Sequence, residues 1–398
     1  MIILHTDIEW INKKYGNIKF LNGTITFSED AITVFGNLSS KDAKIFSRAH
    51  HASIDVHEDL LKNVKFTNTT LDSINISLDL SSCSYIQQFT AHFSVEENSI
   101  SWNLSSAAFS YITENPSEYR IISAPYVHLA SLLGKIGFDL PDESIMFGKK
   151  KYTFSQTSNP GFSKVAASNG WEDIDGLLSL LTLYTQCPIS TIASFTVDKE
   201  GKQRVSWSPC KFDMSKEGLS NYDLRCMDIG QSNSLRYFLE SATWINYSEH
   251  DKNELTKAIY TYAKSKYIPL HLQFLTIYSI LDRFAGNKHG KNPYGAMEKG
   301  LSDYSIDIKK IGKSSDPTIK RLRLTLEREN NKGKDVTNFC DLRNYIMHFM
   351  STVEIDDYLD NGELVSNMTF AVLVILLKKL GFKKCGFKKD WTHLSIIE

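Results

Sequence analysis

Residues 269–286 read PLHLQFLTIYSILDRFAG, and their apolar side chains recur at every third or fourth position. This spacing is typical of one face of an α-helix. Pro269 suits the first turn, because its missing N–H would be unpaired there in any case, and Gly286 suits the end of the helix. The helix is expected to bury the following side chains: Leu272, Leu275, Tyr278, Leu281 and Phe284.

Helical spacing continues on both sides of this segment. Before it, residues 255–262 form a shorter apolar stripe. After it, we predict a basic helix around residues 316–328, then a helix capped by Thr337 or Asn338, and then a closing apolar helix. Four to six helices in residues 226–398 indicate a helical bundle.

Residues 1–225 have the spacing of a β protein. Apolar side chains alternate over residues 18–27 on either side of Asn22–Gly23, a dipeptide typical of a tight hairpin turn. Other short runs rich in β-branched and aromatic residues follow: 31–34, 73–80, 87–93, 99–104, 120–122, 152–154, 192–197 and 204–207. We therefore predict an α+β protein, with a β-rich sensor or regulatory domain in residues 1–225 and an all-α bundle in residues 226–398.

The distribution of charge suggests which half meets a polyanion. The 398 residues are enough for two or three domains, and 45 Lys and Arg nearly balance 46 Asp and Glu. Residues 1–225 carry 20 basic and 25 acidic side chains, a net charge of −5, while residues 226–398 carry 25 and 21, a net charge of +4. The second half is therefore the one expected to meet a polyanion.

Several classes of protein are excluded by the composition. The six cysteines form no Cys-x-x-Cys pair, which argues against a structural zinc site and a dense disulfide framework. No apolar run approaches the ~20 residues needed to span a bilayer, and no secretory leader is visible. We expect a soluble cytoplasmic protein without a membrane partner, and no metal or other cofactor is implied.

The segment with the most chemical information is residues 339–349, FCDLRNYIMHF. At about 100° per residue, about 40° separates Asn344 from His348, so both lie on one face of a helix. About 140° separates Arg343 from His348. The side chains of Arg343 and His348 on one helix therefore do not easily contact the same small group. Two copies of the helix packed across a two-fold axis can bring them together, because each Arg343 then reaches across the shared interface.

These three residue types suit the metal-free cleavage of RNA, in which the ribose 2′-OH attacks the adjacent phosphate. An imidazole with the ordinary histidine pKa of ~6.5 gives or takes a proton near neutral pH. A guanidinium holds a phosphate and stabilises the charge gained in the transition state. We therefore expect His348 to act as general acid and base, Arg343 to bind the phosphate, and Asn344 to orient the imidazole or hold a phosphate oxygen.

Arg343, Asn344 and His348 match the R-[polar]-x-x-x-H motif of HEPN domains (higher eukaryote and prokaryote nucleotide-binding). The resemblance extends over residues 230–385 and implies a helical bundle that forms a homodimer and acts as an endoribonuclease in toxin–antitoxin, CRISPR or anti-phage systems. A β-rich first half followed by such a domain is also similar to ApeA-type defence proteins. That similarity implies abortive infection, with the N-terminal domain controlling the nuclease until a phage-derived trigger or a regulatory protein arrives.

Further residues complete the predicted site. Asp282, on the helix that starts at Pro269, is expected to brace Arg343 or His348. The alternative for the basic residues of this half is a solvated face balanced by nearby acids. Five basic side chains are expected to bind the RNA backbone: Lys320, Arg321, Arg323, Lys378 and Lys379.

Two other interpretations stay open at the level of the sequence. In the first, the helical half is a non-catalytic HEPN module that binds nucleotide or RNA, or only mediates dimerisation. In the second, the chain is a structural protein whose β-rich domain binds a protein ligand. RNA cleavage that depends on His348 would exclude both.

Overall fold

The structure of the protein is a computed structural model. It describes residues 2–28, 31–52, 63–79, 91–94, 98–104, 106–123, 144–156, 162–168, 170–209, 238–239, 242–286, 292–313, 315–330, 335–349, 363–382, 385–387 and 394–396. Within these residues the chain is a mixed α+β protein with eight helices and two large antiparallel sheets. None of the helices that the structure describes has the length and apolar character needed to cross a bilayer.

Six of the eight described helices follow the sheets in the chain. The helices are α1 (Ser40–Ala52), α2 (Ile174–Thr185), α3 (Glu249–Ser265), α4 (Leu270–Ala285), α5 (Pro293–Asp303), α6 (Pro317–Asn330), α7 (Phe339–Phe349) and α8 (Glu363–Lys379). The strands are β1 (Ile2–Asn12), β2 (Gly16–Phe27), β3 (Ile32–Leu38), β4 (Val64–Leu71), β5 (Ile74–Asn75), β6 (Ser77–Asp79), β7 (Ala91–Ser94), β8 (Ser99–Leu104), β9 (Ala107–Tyr111), β10 (Tyr119–Ser123), β11 (Ser144–Phe147), β12 (Lys150–Gln156), β13 (Phe162–Ser168), β14 (Ser190–Val197), β15 (Gln203–Trp207), β16 (Cys385–Phe387) and β17 (Leu394–Ile396).

The first sheet has seven strands in the order β5-β4-β1-β2-β3-β8-β7. The hairpin predicted at Asn22–Gly23 is wrong, because β2 runs through this dipeptide and the turn lies at residues 13–15. Asn22 has the left-handed conformation expected of the dipeptide, with φ of 52°. It forms a β-bulge, at which the register of β2 against β3 shifts. Gly23 is required there, because a Cβ would lie 2.3 Å from the carbonyl oxygen of Thr6.

The second sheet has eight strands in the order β11-β12-β13-β10-β14-β15-β9-β6. An apolar cluster joins the two sheets. The ring of Phe27 in β2 lies 5.1 Å from that of Phe109 and 5.8 Å from that of Trp207, measured between centroids. The indole Nε1 of Trp207 donates a hydrogen bond of 2.9 Å to the carbonyl oxygen of Ser28. The two sheets are therefore held together by apolar packing and by a hydrogen bond.

Helix α2 connects the second sheet to the helices of the C-terminal half. All of its residues except Asp175 are buried. They belong to a second apolar cluster, which continues from strands β10–β13 into helices α3–α8. Helix α3 lies against α2, and Ser179 of α2 is hydrogen-bonded to Thr256 of α3 at 3.3 Å. The β-rich and helical regions follow one another as predicted and share a core, while the predicted boundary at residues 225/226 lies outside the described residues.

Helix α4 confirms the helix predicted in residues 269–286, but its buried face coincides only in part with the predicted stripe. Tyr278 and Leu281 are buried as predicted, Leu275 and Phe284 are partly buried, and Leu272 is 39% exposed. The centre of the buried arc is formed instead by Phe274 and Ile277. The reason is that α4 packs against α3, α5, α7 and α8, so one stripe of side chains cannot make all the contacts.

Candidate active site on helix α7

Helix α7, which carries the predicted catalytic motif, begins at a cap made by side chains. The Oδ1 atom of Asn338 accepts hydrogen bonds from the backbone N–H groups of Cys340 and Asp341, at 2.9 and 3.1 Å. The carboxylate of Asp341 accepts in return from the backbone N–H and the hydroxyl of Thr337, at 3.1 and 2.6 Å. These bonds satisfy N–H groups at the helix start that would otherwise be unpaired. Of the two cap residues predicted, Asn338 is the one that caps the helix.

The side chains of α7 divide into a buried and an exposed face. Leu342 and Ile346 are buried, whereas Asn344 is exposed and Met347 is 55% exposed. The register of the helix places residue 348 about 40° from Asn344, on the same face. His348 lies on the helix as predicted, and its side chain lies outside the described part of the structure.

Arg343 and Asn344 are in direct contact. Nη1 of Arg343 donates a hydrogen bond of 2.9 Å to Oδ1 of Asn344. This bond occupies the amide oxygen of Asn344, so its NH2 group remains as a donor for a substrate oxygen. Arg343 is half-buried, and its guanidinium carbon lies 5.8 Å from the centre of the Tyr278 ring on α4, within the range of cation–π attraction. Two neighbours therefore restrict the position of the guanidinium.

The positive charge of Arg343 is not neutralised by the groups that surround it. Among the described residues it forms no ion pair with a carboxylate. Burial raises the pKa of the Tyr278 hydroxyl well above its ordinary value, and burial also raises the pKa of the Cys340 thiol to about 11. Both groups are therefore neutral at physiological pH, and the guanidinium charge remains available to a phosphate.

Asp282 lies near this cluster, one turn after Tyr278 on α4. Its charge adds to burial in raising the pKa of Tyr278 and of Cys340. The described residues give no hydrogen bond between the Asp282 carboxylate and Arg343. The bracing role of Asp282 therefore stays a prediction, although the residue is close enough to act on the cluster through its charge.

The three predicted RNA-binding residues of α6 have different surroundings. Lys320 and Arg321 are exposed. Arg323 is partly buried, and its Nε donates a hydrogen bond of 3.1 Å to the carboxylate of Glu327, four residues later. Two of the three side chains are therefore presented to solvent, while the third is engaged within the helix.

The two predicted RNA-binding residues of α8 are both directed at groups of the protein. Nζ of Lys378 donates a hydrogen bond of 2.6 Å to the carbonyl oxygen of Tyr304. Nζ of Lys379 lies 5.8 Å from the centre of the Phe284 ring. Both lysines are partly buried. Each ammonium group therefore keeps N–H donors beyond its present contact.

The sequence did not indicate that the Tyr278 ring lies beside Arg343. Tyr278 was expected only on the buried face of its helix, and Asp282 was the residue of that helix expected to reach α7. Arg328 was also missed as a candidate for binding RNA. The spacing could have identified it, because Arg328 lies four residues after Leu324 and eight after Lys320, within about 80° of Lys320 around the helix.

The described residues contain no group of three or more His, Cys, Asp or Glu side chains that could hold a metal ion. Comparison of the chain with models of protein families, with curated proteins and with solved structures finds no match.

Proposed function

We propose that this protein is a metal-independent endoribonuclease of the HEPN type that acts as a homodimer in the cytoplasm. The observation that carries the proposal is the hydrogen bond of 2.9 Å between Arg343 and Asn344 on α7, with residue 348 one turn further along the helix. A guanidinium and an amide held side by side offer several donors to the oxygens of a phosphate. The order of a long helix α4, the motif helix α7 and the closing apolar helix α8 also supports the proposal.

The reaction needs a base, an acid and a group that neutralises the phosphate. His348 of one copy takes the proton of the ribose 2′-OH, whose oxygen attacks the adjacent phosphorus. Arg343 stabilises the negative charge that develops on the phosphate, and the NH2 group of Asn344 donates to one of its oxygens. His348 of the second copy gives a proton to the 5′ oxygen as its bond to phosphorus breaks. The products are a 2′,3′-cyclic phosphate and a 5′-hydroxyl end.

A second copy of the chain is required because each α7 helix supplies one imidazole. The angle of about 140° between Arg343 and His348 also favours partners from two copies. Met347, which is 55% exposed on the same helix, offers apolar surface that a second α7 helix can cover. Since one imidazole must be neutral and the other protonated, we expect cleavage to slow in both acidic and alkaline solution.

The test uses His348→Ala and Arg343→Ala chains, assayed on RNA in the presence of EDTA. We expect His348→Ala to lower the rate by at least ~100-fold, because it removes proton transfer. Lys257→Ala, which removes an exposed cation from α3, is the matched control and is expected to cleave normally. Unchanged cleavage by both site variants would show that Arg343 and His348 do not form the catalytic site. No cleavage by any form would favour the non-catalytic HEPN module.

We also propose that the nuclease serves anti-phage defence by abortive infection, with the β-rich region holding it inactive until a phage-derived trigger or a regulatory protein arrives. The resemblance to ApeA-type proteins supports this role. The apolar cluster that runs from strands β10–β13 through α2 into the helices offers a physical link between the two regions. Cells that express the unaltered chain should restrict phage growth, whereas cells that express His348→Ala should not.

A further inference from the structure

Helix α6 has one face that is exposed and positively charged. The opposite face, which includes Ile319, Leu322 and Leu326, is buried in the core. Four of the exposed side chains of α6 make up what we name the α6 basic face: Lys320, Arg321, Leu324 and Arg328. At about 100° per residue they lie within an arc of about 100° on the helix surface.

The α6 basic face carries three positive charges and no acidic side chain. Arg323 and Glu327 flank it and pair with each other, at 3.1 Å. The structure gives no ion pair between a described carboxylate and either Lys320 or Arg328. Three cations along ~12 Å of helix, without an acid among them, make a surface that attracts anions.

Leu324 lies among these cations and is 46% exposed. The aliphatic stems of the neighbouring Lys and Arg side chains extend this apolar area. Apolar carbon flanked by cations matches a nucleic acid strand, whose bases and sugars are partly apolar and whose phosphates are anionic. A lipid surface matches less well, because α6 buries its own apolar face in the core and keeps a single apolar side chain on the exposed face.

Helix α6 starts next to helix α7, which carries the candidate active site. The backbone of Lys313, which precedes α6, pairs with that of Asn338, which caps α7. Helices α6 and α7 therefore begin next to each other. Lys320, Arg321 and Arg343 all lie within the first two turns of their helices.

We propose that the α6 basic face binds the phosphate backbone of single-stranded RNA and leads the strand to Arg343 and Asn344 on α7. This inference rests on the proposed function, since it supplies the substrate path for that reaction. A single strand is favoured over a duplex because ~12 Å of helix covers few phosphates, whereas modules that bind double-stranded RNA by its shape span ~16 base pairs.

The test measures binding, so its outcome does not depend on cleavage. The His348→Ala chain, in which RNA stays intact, and the same chain with Lys320→Ala, Arg321→Ala and Arg328→Ala are titrated with a fluorescein-labelled oligouridylate at several salt concentrations. Each phosphate contact on a single strand contributes about 0.7 to the slope of log affinity against log salt. We expect the triple substitution to reduce that slope by about 2 and the affinity about 100-fold at ~0.1 M salt.

The matched control replaces three exposed lysines elsewhere, Lys65, Lys257 and Lys299, with alanine. It changes the net charge equally and should leave the slope nearly unchanged. Arg321→Lys with Arg328→Lys keeps the charge and should also keep the slope, which separates lost charge from lost folding.

Three results would overturn the inference: unchanged affinity in the triple variant, an equal loss in the control, or tighter binding of an RNA duplex or a polyglutamate peptide than of the oligouridylate. Failure of the proposed function gives a different result. If RNA binding depends on the α6 basic face but the unaltered chain does not cleave RNA, the proposed role of the α6 basic face is supported and the proposed nuclease activity is refuted.

Discussion

The stability of the protein is expected to depend on pH through Lys266, which directly follows α3. Its ammonium group donates a hydrogen bond to Oε1 of Gln186 and lies 5.1 Å from the centre of the Tyr262 ring. Burial lowers the pKa of Lys266 from its ordinary value of 10.5 to about 8. The charged form is therefore disfavoured in the folded protein, because the interior solvates an ammonium group poorly.

The sign and size of the effect follow from the two pKa values. In the unfolded chain Lys266 keeps its proton up to the ordinary pKa of 10.5, whereas in the folded protein it loses the proton near pH 8. Between these values the unfolded state binds more protons, so the free energy of unfolding rises with pH. A difference of about 2.5 between the two pKa values corresponds to about 3 kcal/mol, which is the cost of the buried charge below pH 8.

Lys266→Met removes this charge and keeps a flexible side chain of similar length. Gln186 still accepts a hydrogen bond of 2.7 Å from the hydroxyl of Tyr262, so no buried acceptor is left unpaired. We expect the variant to be more stable than the unaltered chain by about 1 to 3 kcal/mol near neutral pH, and the difference to disappear as the pH approaches 10.5. Unfolding by urea, followed by circular dichroism at several pH values, measures the difference.

Lys257→Met is the matched control, because Lys257 is exposed on α3, the helix that Lys266 follows. Its stability relative to the unaltered chain should not vary with pH. The reasoning fails if Lys266→Met is less stable than the unaltered chain near neutral pH. It also fails if the difference between the two chains stays constant across the pH range.

Close contacts around α4 and α7 give further expectations. Tyr278→Leu removes the ring beside Arg343 and should lower kcat for RNA cleavage about 2- to 5-fold, whereas Tyr278→Phe should not; equal kinetics in both would contradict the cation–π contact. Gly300→Ala places a Cβ 1.8 Å from the carbonyl oxygen of Ala285 and should destabilise the fold by about 3 kcal/mol, so an unchanged Tm would refute the packing of α5 on α4. Burial and a pKa of about 11 should protect the Cys340 thiol from iodoacetamide at neutral pH until the chain is unfolded. Rapid alkylation of Cys340 in the folded chain, detected by mass spectrometry of its peptide, is the contrary result.

The sequence predicted those elements of the fold that depend on residues close together in the chain. Strand β8 occupies Ser99–Leu104, the same residues as the predicted run, and α7 begins at the predicted Asn338 cap. Both depend on residues close in the chain. The Asn22–Gly23 hairpin was wrong because a left-handed conformation serves a turn and a bulge equally well. The pairing of β2 with β1 and β3 decides between them, and that pairing is not local.

The candidate site was predictable to the same extent. Arg343 and Asn344 were both identified from the motif, but the hydrogen bond between them was not, because adjacent residues point about 100° apart on a helix. The ring of Tyr278 reaches Arg343 because α4 packs against α7, and the sequence suggested Asp282, not Tyr278, as the residue at that contact. In the same way, the sequence identifies Lys378 as a cation but not that the carbonyl oxygen of Tyr304 engages it.

The burial of α2 limits how the N-terminal half can act on the C-terminal half. Because its side chains are shared between strands β10–β13 and the helices that begin with α3, pulling the two halves apart would expose a broad apolar surface to water. A signal received by the sheets would therefore reach α7 as a small shift of packed helices, not as the departure of a tethered blocker. A protease that cut the chain ahead of residue 226 and removed the sheets would leave an aggregating remnant, not a liberated nuclease.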